Sequence, residues 1–197
     1  MAIDSLKRVV GWVAALNLAY FGIEYAVAIS IGSVSLFADS IDFLEDASVN
    51  LLILFALGWS ARARGLLGIG LAALILVPGI ATLWTAWEKF AMPIPPEPIS
   101  LSLTGAGAFA VNLTCAFLLM RVRSHAGSLT RAAFLSARND VLANVAIVGA
   151  GLITARAASI WPDLIVGLAI FLLNAGAAYE VFQLARNDMR AEQSALP

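Results

Sequence analysis

Asp39, Asp42, Glu45 and Asp46 crowd into one short stretch of a segment, residues 33–58, that is otherwise apolar. If the segment is helical, each residue turns about 100°, and Asp39, Asp42, Asp46 and Asn50 fall within an arc of about 80°, with Glu45 about 60° further round. That face is a strip of carboxylates. Asp42 and Asp46, one turn apart, can hold a cation between them. A second apolar segment, 129–155, repeats the pattern more sparsely: Ser136, Asp140 and Asn144 stand at i, i+4 and i+8. They again share an arc of about 80°. Asn17, Tyr20 and Glu24 make a third polar stripe near the N-terminus. Oxygen donors in this density bind protons or hard cations.

The elements that carry these residues follow from composition. Of 197 residues 61% are hydrophobic and 13% charged, about half the charged share of a soluble domain. This excludes a disordered chain. A net charge of −1 offers no basic field to a nucleic acid, and the single cysteine, Cys115, excludes a disulfide framework or a cysteine–zinc cluster. Six apolar runs, about 6–31, 33–58, 66–90, 99–121, 129–155 and 160–186, are each long enough to cross a hydrocarbon core as a helix. Breakers separate them: Gly32-Ser33, the Ser60–Gly65 run, the prolines Pro93, Pro95, Pro96 and Pro98, the Arg123–Ser128 run and Ser159–Pro162. The expected fold is all-α, a polytopic membrane protein with six transmembrane helices forming one domain over residues 1–187. A short cytoplasmic tail, 188–197, is expected to follow, with no metal-binding domain expected after it. A cleaved signal peptide is the competing reading of residues 1–31; its length, Asn17 and Glu24 favour a retained span.

Orientation comes from the basic residues, which stay on the cytoplasmic side of short loops. Lys7, Arg8, Arg62, Arg64, Arg121, Arg123, Arg131, Arg186 and Arg190 fall on one side, Lys89 and Arg156 on the other. Both termini are therefore expected in the cytoplasm. Trp12, Trp59, Trp84, Trp87 and Trp161 lie near span ends, where an interfacial belt places them. Asp46 then lies about 12 residues from the outer end of its helix and Asp140 about 11 from the inner end of its own, so both sit near mid-membrane. An unpaired charge there costs several kcal/mol by most accounts.

Blander readings suit other polar residues. Asn17, Asn50, Asn112, Asn144 and Asn174 serve as interhelical glue, His125 as a solvated loop residue and Cys115 as small packing. Arg138 snorkels inward or pairs with an acid on another helix. Asp163 suits the first turn of the last helix as an N-terminal acid. Glu88 and Lys89 read as interfacial. For three aspartates on one face, matched in depth by a fourth, glue is a poor account.

The segment from Glu24 through Gly32-Ser33-Val34-Ser35-Leu36-Phe37-Ala38-Asp39-Ser40-Ile41-Asp42 to Asp46 resembles the G-S-x-[AS]-L-x-A-D-x-x-[HD]-x-x-x-D element of the cation diffusion facilitators. Ala132 to Asn144 resembles their A-x-x-H-x-x-x-D-x-x-x-N, and the resemblance resumes at Trp161-Pro162-Asp163. It covers essentially the whole chain. The resemblance implies a homodimeric, proton-coupled exporter of divalent metal working by alternating access, its site formed by Asp42, Asp46 and Asp140. Ser136 stands where zinc members carry His, and Asp42 where many have His, so the donors are all oxygen. Asn139 or a water stands in for the missing imidazole. Asp39 and Asn50 are expected as neighbours or gates of the site, Asn144 beside them, and Glu24 on the metal or proton path. Zn²⁺ and Cd²⁺ rank first, Co²⁺ or Mn²⁺ next. No resident cofactor is expected, since the metal is cargo. Dimer contacts would come from the membrane helices, and the cytoplasmic membrane of a bacterium is the expected location.

Two other classes stand beside this reading. An intramembrane metal-dependent enzyme, such as a phospholipid-head-group transferase, would need a D-G-x-x-A-R element that the chain lacks; no enzymatic activity is expected. A helical assembly subunit would use the polar faces for partner helices only and would not bind metal.

Overall fold

The computed structural model describes residues 2–55, 80–122 and 127–194. Trp59, Arg62, Arg64, Arg123, His125 and the first part of the expected third span lie outside the described residues. The helices are α1 (Ala2–Ile31), α2 (Val34–Phe55), α3 (80–91), α4 (Pro98–Met120), α5 (Gly127–Ala157) and α6 (Trp161–Ser194). Among the described residues there is no strand, and the fold is all-α. α6 stays helical to Ser194, past the expected end of its span.

Local chemistry sets the breaks. Gly32 closes α1 with φ +62°, a left-handed conformation that costs glycine nothing. Its N–H donates to Ile29 O and that of Ser33 to Ala28 O, so the last carbonyls of α1 are satisfied in a Schellman turn. Ser33 then caps α2, its Oγ accepting from Leu36 N at 3.2 Å. At α4, Glu97 accepts from Ile99 N at 3.0 Å and Ser100 N at 2.5 Å, and Pro98 occupies the first turn, where its missing N–H costs nothing.

α1 packs on α2 and α4, α4 on α5, and α2 on α5 and α6. At one end Ala86 of α3 joins Val34 of α2 and Leu164 of α6. Two apolar clusters fill the bundle. One holds Leu36, Phe37, Ile41, Leu101 and Ile147; the other holds Val10, Val13, Ile53, Leu119 and Ala137. Between or beside them, on α1, α2, α4 and α5, lie buried polar residues: Asn17, Glu24, Asp39, Asp46, Asn112 and Asn144.

The outside is the reverse of a soluble protein. Trp12, Trp84, Trp87, Trp161, Leu103 and Leu172 are all exposed, an apolar surface too extensive for water and suited to lipid. Ser5–Ile31, Pro98–Met120 and Ser136–Ala157 meet the length and hydropathy of a membrane span, and Trp161–Gly176 is a shorter apolar stretch. α2 falls short of that hydropathy because of its acids, and those acids point inward.

Candidate functional site

Two side-chain contacts fix how α2 and α5 lie against each other. Ser136 Oγ donates to Asp46 Oδ1 at 3.1 Å, and Asn144 Nδ2 donates to Asp39 Oδ2 at 2.5 Å. Ascending α5 therefore matches descending α2, and this antiparallel register sets Asp140 level with Asp42. Asp42 and Asp140 lie within electrostatic range of each other, as do Asp140 and Asp46. The expected trio of Asp42, Asp46 and Asp140 thus faces one space, with Ser136 at its edge.

Accessibility differs along this strip. Asp42, Glu45, Ser136 and Asp140 are partly accessible, whereas Asp39, Ser40 and Glu24 are fully buried. The accessible acids thus lie toward Glu45 and the enclosed ones toward Asp39. A dication among three carboxylates would leave a net charge near −1, and oxygen donors suit hard or borderline cations. Among the described residues, no three His, Cys, Asp or Glu side chains are already drawn into a metal-binding group.

The neighbours sort themselves clearly. Asn144 accepts from Asn112 Nδ2 at 3.0 Å while donating to Asp39, so α4, α5 and α2 are joined by one chain of amides. Asn50 Nδ2 turns back to Asp46 O at 2.8 Å within its own helix. Asn17 Oδ1 lies 3.8 Å from the buried Cys115 Sγ. Asn139 is not brought to the acids; it is exposed beside Arg138, whose Nη2 lies 3.5 Å from its Oδ1. Arg138 pairs with no acid among the contacts described. On α1, Tyr20 donates from its hydroxyl to Thr104 O at 2.6 Å and packs on Phe43, its ring 5.0 Å away.

Asp163 and Lys89 do something that the sequence does not suggest. Asp163 is in the first turn of α6, as expected of a helix-starting acid, but it serves α2 instead. Its Oδ1 accepts from Ser33 Oγ at 2.7 Å, Ser35 Oγ at 2.6 Å and Ser35 N at 3.1 Å, and its Oδ2 from Val34 N at 2.9 Å. These are the donors left over at the start of α2, so one carboxylate from another helix caps it. Lys89, expected at the interface, is only 7% exposed, and its Nζ donates to Gly32 O at 2.5 Å. Gly167, one turn along α6, touches the backbone of Val34 so closely that an added Cβ would stand 2.7 Å from it. The start of α2, which carries the acids, is thereby tied to α3 and α6. Only the serines at the helix start hinted at a missing acceptor.

An all-helical bundle that turns apolar side chains outward and encloses carboxylates in mid-helix is a multi-pass membrane protein built to pass or hold cations. The family model of the cation efflux transmembrane domain matches residues 12–189 of the chain. The chain belongs to this family, the cation efflux or cation diffusion facilitator proteins, whose members are transporters of divalent cations and not enzymes. A comparison with curated proteins gave no match.

Proposed function

We propose that this cation efflux protein exports Zn²⁺ or Cd²⁺, with Co²⁺ or Mn²⁺ as weaker cargo, in exchange for protons. What supports this reading is the register of α2 and α5, with Ser136 on Asp46 and Asn144 on Asp39, which brings Asp140 level with Asp42. The metal enters from the cytoplasm on the Glu45 side, displaces protons from these three carboxyl groups and is held by oxygen alone. Three bare carboxylates in a low-dielectric space repel one another, so the empty carrier resets by taking up protons from outside. Alternating access follows: the bundle opens outward with metal and returns with protons. The working unit is a homodimer joined through its membrane helices, in the cytoplasmic membrane of a bacterium.

The test uses proteoliposomes with a pH gradient and a metal-sensitive dye. Asp46→Ala is expected to abolish metal flux, and Asp140→Ala to weaken Zn²⁺ and Cd²⁺ binding to purified protein by at least about a hundredfold, the worth of one buried charged ligand. Undiminished flux through Asp46→Ala would sink the assignment.

A further inference from the structure

Three carboxylate oxygens inside the bundle have no hydrogen-bond partner among the described residues: Oε1 and Oε2 of Glu24 and Oδ1 of Asp39. Neither side chain is accessible. The two carboxyl groups face each other across the packed α1–α2 interface, each a charged neighbour of the other. As carboxylates they can only accept, so the contact is repulsive. With one proton between them it becomes a short, charge-assisted hydrogen bond, O–H donating to O⁻, and the pair carries one negative charge instead of two. A donor is already aimed at that charge: Asn144 Nδ2 on Asp39 Oδ2, itself oriented by Asn112.

The other groups facing the pair are Tyr20 on α1, Asp42 and Asp46 on α2, and Asp140 on α5. From α4 comes only the neutral Asn112, through Asn144. Among the described residues no cation is seen at the pair: the buried Lys89 is engaged on Gly32 O. Asp39 stands three residues before Asp42, about 4.5 Å closer to the start of α2. On the orientation set by the basic residues this is the outer side, from which protons arrive.

We infer that Glu24 and Asp39 form a proton site of their own, distinct from the metal ligands, in which the two carboxyl groups share one proton drawn from the outer side. The step is a protonation: the pair goes from two negative charges to one, and returns the same proton on release. The inference extends the exchange mechanism proposed above but can fail separately from it.

Infrared difference spectroscopy of the purified chain reads the pair directly. One protonated-carboxyl carbonyl band, unaffected by Asp46→Asn, is expected near neutral pH, and both Glu24→Gln and Asp39→Asn are expected to remove or shift it. In proteoliposomes Glu24→Gln is expected to bind Zn²⁺ within about twofold of wild type, since the sites are distinct. It should pass metal down its gradient but no longer respond to a pH gradient, and Glu24→Asp should restore that response. A set of protonated-carboxyl bands that neither substitution alters, or a band that Na⁺ or K⁺ removes from wild type, overturns the proton site. So does a Glu24→Gln carrier that still accumulates metal against its gradient when driven by pH. If Asp46→Asn keeps full Zn²⁺ binding, the metal assignment fails while the band still decides the fate of the pair.

Discussion

Ser136 is a neutral donor at the edge of the acid cluster, and its hydroxyl already rests on Asp46 Oδ1. A histidine at that position would bring an imidazole nitrogen to the same carboxylates. Nitrogen favours Zn²⁺ and Co²⁺ over Mn²⁺. Ser136→His is therefore expected to raise the Zn²⁺ to Mn²⁺ affinity ratio by about tenfold, or 1.4 kcal/mol, in competition titrations; an unchanged ratio would place residue 136 outside the metal's reach. The spacing of Asp42 with Asp46, and of Ser136 with Asp140 and Asn144, was legible in the sequence because the geometry of one helix determines it. Asn139 shows the limit: it adjoins Asp140 in sequence but points about 100° away and is exposed. That Glu24 faces Asp39 was not legible either, because it depends on how α1 rolls against α2.

The start of α2 is held by α6, and the strength of that hold can be measured. Removing the Asp163 carboxylate leaves two serine hydroxyls and two backbone N–H groups without their acceptor. Asp163→Ala should cost about 3 kcal/mol, within the range for orphaned buried donors, and lower the thermal midpoint in detergent. Asp163→Asn, which keeps one acceptor oxygen, should fall between. Equal midpoints for all three proteins would mean that the cap carries no energy. From the sequence, Asp163 reads as an acid for its own helix; its true partners are some 130 positions away in the chain, and no local pattern reports on them. Lys89 was missed for the same reason, since its partner is the carbonyl of Gly32. α4 offers the contrasting local case. Hydrogen bonds from the Ser100 hydroxyl and from the N–H groups of Ser100 and Ile99 hold the Glu97 carboxyl below the usual carboxylate range. A depressed value in the folded state gives stability that is present above the unfolded pKa of about 4.3 and lost as pH falls through the lower folded value. The midpoint difference between wild type and Glu97→Ala should accordingly be present at neutral pH and vanish in acid.

Direction of transport depends on how the whole bundle sits in the membrane. If the basic residues mark the cytoplasmic side, the connection between α3 and α4 lies outside and that between α4 and α5 inside. In that orientation the partly accessible side of the acid cluster, near Glu45, faces the cytoplasm, and the latched start of α2 with Asp163 and Lys89 faces out. The chain provides its own silent background for a test, because its single cysteine, Cys115, is fully buried. Ile94, in the proline-rich connection, is 71% exposed, and Arg121, just beyond α4, is exposed as well. A membrane-impermeant maleimide added to intact cells should label Ile94→Cys and leave both wild type and Arg121→Cys unlabelled. Permeabilised cells should label both variants. The reverse pattern would turn the bundle over, place the open side of the acid cluster outside, and make the same carboxylates a route for uptake instead of export.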